Sequence, residues 1–363
     1  MTPEDPIDSL EAERDAFIKD WTATSQLLYY TVICVSVVTL PALIFMFIVL
    51  RKYKKSNYYH FLCSIMAGNF ILLATIFSNV ISDRNVMLFA GILPGVVVCK
   101  LSAFLVNTSS FFVHWAWVAM YLQRFLHVFF PLRAHRAGDK SKEIIGVLFA
   151  FSVISQLWTP ILITELSVGA DESSGTYCAE DPRIFGETTL KYLIFFECFM
   201  TFFLPFVLTV ITDFSVLFMR NPCTTQNAFT MISADEIVQH QGDHDVTTDE
   251  KSPLKIVHKS KIMFDMRRRN EAIRRCLLLA TVTLLLNLPN YSLQLIDEFY
   301  HFRESNDLSI RRKFVRADAI VYIIYLIQFP TVPLYMYCLK TDFDRTRSKK
   351  RSSGRRSTTH SYV

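Results

Sequence analysis

The residues able to do chemistry lie inside stretches where apolar neighbours dominate. In Cys99–Arg136, reading CKLSAFLVNTSSFFVHWAWVAMYLQRFLHVFFPLRAHR, polar groups recur at Asn107, Ser110, His114, Tyr121 and Arg124. Those spacings keep them near one stripe of a helix. Glu197, Asp213, Asp297 and Asp318 lie within or beside other apolar runs. A charged or hydrogen-bonding side chain in hydrocarbon is costly unless partnered, so such residues either line a binding site or bond helix to helix. Glu197 carries both readings, a ligand contact or a protonated carboxyl held by a neighbouring helix. The sequence has no phosphate loop, zinc-spaced His/Cys set or Gly-x-Ser-x-Gly elbow, so the expected chemistry is recognition, with no catalysis, cofactor or metal. His240, His244 and Asp245 cluster in a polar stretch where nothing fixes a metal geometry, and read as solvated.

The elements that must position these groups are membrane spans. Of 363 residues, 51% are hydrophobic, and apolar runs of membrane length predict an all-α membrane protein. Seven spans are expected, near Leu27–Leu50, Tyr58–Ser82, Cys99–Phe130, Ile144–Thr164, Leu190–Met219, Ala272–Ile296 and Phe314–Leu339. They divide the chain into an acidic N-terminal segment (1–26), a seven-helix domain (27–339) and a basic tail (340–363). Residues 220–270 form a polar loop expected to be largely disordered. The first 26 residues hold seven acids against two bases and no signal-peptide pattern.

Loops rich in Lys and Arg stay cytoplasmic. Lys251–Arg275 carries nine bases against two acids and Lys340–Val363 eight against two, whereas Glu165–Glu187 has six acids and one base. The expected orientation is N-terminus outside and C-terminus inside, in the plasma membrane. The basic face suits anionic lipid and acidic protein surfaces rather than nucleic acid.

Arg124 follows Cys99 by 25 residues and Pro131 follows Arg124 by seven. With Gln123-Arg124-Phe125, this resembles the third helix of rhodopsin-like G-protein-coupled receptors, whose motif is Asp/Glu-Arg-Tyr. Further landmarks match in order: Asn69 at the aspartate position of Leu-Ala-x-x-Asp, Pro160, Pro205, Pro289, Pro333 and Phe343. Several signature residues differ. The first span lacks its usual asparagine, Ala150 and Asn287 replace tryptophans, Leu286 replaces a cysteine, and Val332 and Met336 replace the outer residues of Asn-Pro-x-x-Tyr. Such losses resemble nematode-type neuropeptide and chemosensory receptors. Asn69 supplies no full negative charge, which argues against a sodium site.

The resemblance implies a seven-transmembrane bundle with a short amphipathic eighth helix holding Phe343. It implies a receptor that converts binding of an outside ligand into activation of a heterotrimeric G protein, with helix six swinging about Pro289 to expose Arg124. With Gln123 before Arg124 and basic Arg269 at the foot of helix six, the usual restraining acids are absent, so Asp213 is expected to restrain Arg124 in part, or else basal signalling is high; Pro333 stands at the proline of Asn-Pro-x-x-Tyr. Only Cys99 and Cys178 of the eight cysteines reach the oxidising side, and their pairing ties the third helix to the loop before the fifth. The alternative is two unpaired thiols.

Val106 stands where amine receptors carry aspartate and Leu326 where opsins carry lysine, so neither ligand fits. An acidic outer rim attracts cations, and the expected ligand is a basic or amidated neuropeptide. Its pocket is expected to use Asn107, Ser110, Glu197, Asn290, Gln294, Asp297, Asp318 and Tyr322. The Ser/Thr-rich tail suits a receptor kinase and an arrestin-like partner, and Ser361-Tyr362-Val363 resembles a PDZ ligand. Rival readings are a chemosensory receptor for small molecules, a seven-helix receptor that does not couple, and, with less support, a transporter or channel; no three-helix repeat supports a carrier.

Overall fold

The computed structural model describes residues 6–51, 59–84, 95–129, 140–167, 176–180, 186–218, 281–305 and 307–356. Among these it contains seven long helical segments and one two-stranded ribbon. Helix α1 spans Pro6–Leu50, α2 Tyr59–Arg84 and α3 Gly95–Phe129. Helix α4, Ser141–Ser155, is followed by a turn and a short helical piece, Thr159–Leu162. Strands β1 (Ile163–Ser167) and β2 (Thr176–Glu180) pair antiparallel, with Glu165 opposite Cys178. Helix α5 comprises Glu187–Cys198, a π turn at Phe199–Phe203, and Leu204–Phe218. Helix α6 covers 281–300, and α7 runs Leu308–Arg356.

Six of these helices are long and apolar enough to cross a membrane. The described part of α6 also has spanning length, about 30 Å. It carries Asn287, Asn290, Gln294, Asp297 and Glu298, which lower its mean hydropathy. Exposed apolar side chains on α1 (Val37, Val38, Ile44), α4 (Val147, Ile154), the short piece after it (Ile161) and α5 (Val207, Ile211, Phe214) give the bundle a hydrocarbon-compatible exterior.

Three helices depart from the expected spans. Helix α1 begins at Pro6, well before Leu27, because the acidic segment continues the helix beyond its apolar part. The fourth span is interrupted after Ser155. Pro160 has no N–H to donate and its ring opposes the carbonyl four residues earlier, so the helix restarts with proline in its first turn. Helix α7 continues unbroken to Arg356, and no turn sets off the expected short eighth helix, since Tyr337–Ser353 contains neither proline nor glycine. Pro131, the 220–270 loop, Arg269, the His240/His244/Asp245 cluster and Ser361–Val363 lie outside the described residues.

Chain direction alternates, so the Cys99–Cys178 end of the bundle gathers the starts of α1, α3, α5 and α7 and the ends of α2, α4 and α6. Toward the opposite end, Leu43 and Met46 of α1, Phe61 and Ile65 of α2, Trp117 and Met120 of α3 and Met336 of α7 form one buried cluster. Nearer the disulfide, Val32, Leu73, Ile76, Leu326 and Phe329 form another. Helices α2 and α3 approach closely at Gly68, where an added Cβ would lie 2.6 Å from Val113 Cγ2. Ordinary carbon contacts are 3.5–4.0 Å, so only glycine fits without a shift.

Candidate functional site

The polar stripe of α3 faces protein. Ser110, His114 and Tyr121 are buried, and Asn107 is half-buried. Ser110 Oγ and the Tyr291 hydroxyl of α6 are 2.7 Å apart, joined by one hydrogen bond. Tyr291 stacks on Phe202 of α5, with ring centroids 4.6 Å apart and planes 11° from parallel. His114 meets both rings edge-on, at 5.8 Å from Phe202 and 5.9 Å from Tyr291. Three helices thus converge on one hydroxyl pair and one imidazole. His114 Nδ1 is buried and makes no hydrogen bond of ordinary geometry among the described residues, the Ser110 backbone one turn earlier being the group its imidazole interacts with.

The π turn of α5 shapes this region. Its widened register leaves the Met200 carbonyl to accept the Trp115 indole N–H at 3.0 Å, pinning α5 to α3. Glu197, half-buried, lies two residues before that turn, with Cys198 between them. Asn290 is buried beside Tyr291, whereas Gln294 is exposed. Asn287 occupies a deeper turn of α6, where its Nδ2 donates to Thr283 O at 2.9 Å and to Gln328 Oε1 of α7 at 2.6 Å.

Asp297, Asp318 and Tyr322 belong to a second group at the disulfide end. Arg303 lies between the two acids, with its Nε 3.5 Å from Asp297 and an Nη 3.6 Å from Asp318. Its backbone N–H also donates to Asp297 Oδ1 at 3.1 Å. Asp318 and Tyr322 face a cavity of about 320 Å³ between α1, α2 and α7, which Trp21, Tyr29, Arg303 and Phe314 also line. Across the α1–α7 seam, Asp20 accepts hydrogen bonds from Arg312 and, at 2.7 Å, from Arg316, and Arg311 lies 5.1 Å over the Phe17 ring. The disulfide end therefore includes a basic turn, Arg303 to Arg316, that offsets part of the acidic rim.

Of the expected pocket residues, Ser110 sits in the α3–α5–α6 cluster, Asp318 and Tyr322 line the peripheral cavity, and Asp297 joins them through Arg303. Tyr291, Phe202 and His114 were not singled out for the pocket, although the Ser110/His114 spacing of four already put two polar groups on one helical face. Arg303 and Trp21 carried no sequence signal, because their importance depends on which helices adjoin.

At the opposite end, Arg124 lies on α3 and Asp213 on α5, with the backbone alone described. Gln123 Nε2 donates to Ser141 Oγ at 3.1 Å, which ties α3 to α4. Pro289 lies within α6 and Pro333 within α7. The disulfide Cys99–Cys178 is formed, with Cα atoms 5.8 Å apart, and anchors β2 to the top of α3.

Comparison with known sequences agrees with this architecture. A C. elegans protein described as a probable G-protein coupled receptor, AH9.4, is 22% identical over 275 residues, covering 68% of this chain and 71% of its own length. The family described as 7 transmembrane receptor (rhodopsin family) matches residues 22–329, from the disulfide end of α1 to the middle of α7. With seven helices, the α3-to-hairpin disulfide and this match, the chain belongs to the rhodopsin family of seven-transmembrane receptors.

Proposed function

We propose that this receptor binds a basic or amidated neuropeptide at the plasma membrane and activates a heterotrimeric G protein. In this reading the disulfide end is extracellular and the C-terminus cytoplasmic. The observation that carries the ligand class is the segment between α4 and α5, whose Glu165–Glu187 stretch holds six acids against one base and is tied over α3 by the disulfide. Such a concentration of one sign draws cationic ligands and raises their encounter rate. Beneath it, Asn107, Ser110, Glu197 and Asn290 supply hydrogen-bonding groups for the ligand, and Asp297, Asp318 and Tyr322 supply the rim; Gln294 is the weakest member, being exposed.

Coupling rests on the family and on Arg124. Gln123 is neutral and bonded to Ser141, so the restraint on Arg124 falls to Asp213, one helix away on α5. Release of α6 about Pro289, with Pro333 bending α7, opens the cytoplasmic end to the G protein. The tail then offers its Ser and Thr hydroxyls to a receptor kinase and arrestin, and Ser361-Tyr362-Val363 to a PDZ domain.

The test is nucleotide exchange on G proteins in cells expressing wild type or Arg124→Ala, scanned against amidated peptides and small odorants. A peptide response lost in Arg124→Ala at equal surface level supports the reading, and reduced potency in Glu197→Gln supports the charge basis. Responses confined to small volatiles refute the peptide assignment and favour the chemosensory reading, for which the modest 320 Å³ cavity is the structural ground.

A further inference from the structure

The cavity between α1, α2 and α7 has a polarity that selects among ligand groups. Its volume, about 320 Å³, is at the lower end for ligand sites, enough for one capped residue rather than a whole peptide. Trp21, Tyr29, Phe314 and Tyr322 give it aromatic walls, and Arg303 and Asp318 are its charged pair. Asp20, bonded to Arg312 and Arg316, holds the first turns of α1 against α7 and so fixes the Trp21 wall in advance of any ligand.

Arg303 meets Asp318 at 3.6 Å through one Nη and Asp297 at 3.5 Å through Nε, and Arg303 and Asp318 stay 59% and 41% exposed, so the guanidinium N–H groups and carboxylate lone pairs outside these contacts stay open to another group. A ligand between them meets a donor and an acceptor of opposite charge side by side. A carboxylate pairs with Arg303 but is repelled by Asp318, and it has no proton to give. An ammonium pairs with Asp318 but faces Arg303. A primary carboxamide answers both, its carbonyl accepting from Arg303 and its NH₂ donating to Asp318. Aromatic walls favour an aromatic side chain on the same residue.

We propose that this cavity binds the amidated C-terminal residue of the peptide, an aromatic one, with Arg303 and Asp318 reading the carboxamide. The inference rests on the peptide-receptor reading for its ligand and adds the residue that the peptide inserts, its terminal chemistry and its place away from the α3–α5–α6 core.

The experiment uses the full-length receptor in lipid nanodiscs without G protein. Ligand-observed NMR measures binding of N-acetyl-phenylalaninamide, N-acetyl-phenylalanine and N-acetyl-alaninamide. The expected result is an amide at least about tenfold tighter than the acid, since like charge at short range is penalised, and also tighter than the alanine analogue. Asp318→Asn should bring acid and amide within about threefold of each other, because removing the carboxylate removes the repulsion. Trp21→Ala, on a different helix, should narrow the difference between the phenylalanine amide and the alanine amide. Acid binding as tightly as amide, no amide binding at millimolar concentration, or amide binding indifferent to both substitutions overturns the proposal. Amide binding in the nanodisc, with no nucleotide exchange in cells given the amidated peptides, counts against coupling and leaves the cavity assignment intact. An amidated peptide that signals with unchanged potency in Asp318→Asn and Trp21→Ala does the reverse.

Discussion

The Asn287–Gln328 bond offers a direct measure of what ties α6 to α7. Asn287 is wholly buried and Gln328 nearly so, and the 2.6 Å bond between them joins the two helices at a depth where water is scarce. Asn287→Leu strands Gln328 Oε1; Gln328→Met strands one Asn287 N–H. Each single change should cost about 1–3 kcal/mol, the price of an unsatisfied buried group. The double variant should lose less than the sum. It removes both ends of the bond, and it also removes Asn287 Oδ1, which has no partner among the described residues. Interhelical bonds in membranes average about 0.6 kcal/mol and reach about 1.7, so the coupling should fall between those values. Apparent Tm of detergent-solubilised receptor, scanned at one fixed rate, reads it; roughly 2–4 °C accompanies each kcal/mol in medium-sized domains. A double variant whose loss equals the sum of the singles refutes the tie.

Other contacts make separate predictions. Gly68→Ala places a methyl 2.6 Å from Val113 Cγ2 and should destabilise by about 1–3 kcal/mol; Val113→Ala added to it should restore most of the lost Tm, and failure to do so puts the strain elsewhere. Asp20→Asn removes the negative charge shared by Arg312 and Arg316 and turns one of its two oxygens into an NH₂ donor, so backbone amides of 11–22 should exchange faster with deuterium, as they should in wild type at high salt; unchanged exchange means the α1 extension is held by packing alone. Cys99→Ser opens a link across 79 residues, for which chain entropy sets a loss of about 4 kcal/mol, read as reduced surface receptor and lowered Tm; a variant as stable as wild type contradicts that. Asp213→Asn should raise ligand-free nucleotide exchange, and unaltered basal output counts against its restraint of Arg124.

Hydropathy made the bundle legible because each span must satisfy its own backbone in hydrocarbon, and about twenty apolar residues is the signature of that demand. The same signal understates helix length. Nothing apolar marks Pro6 or Arg356 as helix ends, because a polar segment continues a helix readily once the membrane part has nucleated it. The site was less legible for a geometric reason. The Ser110 stripe showed that α3 faces protein, yet its partner Tyr291 is 181 residues away, and Asp20 meets Arg312 across 292. One helix face can be read from periodicity, but which neighbour covers it depends on the whole packing. Charge shows the same limit. The acids of 1–26 and 165–187 were visible as an acidic rim, while Arg303 to Arg316, carrying five bases, became part of that rim only once α7 was seen to start beside α1. The rim is a mosaic in which Asp20 neutralises bases, Arg303 stands between two acids, and the hairpin retains its excess of carboxylates. On the peptide reading proposed above, a mosaic of that kind responds to the order of a ligand's charges and amides as well as to its net charge, so terminal amidation should matter beside basicity.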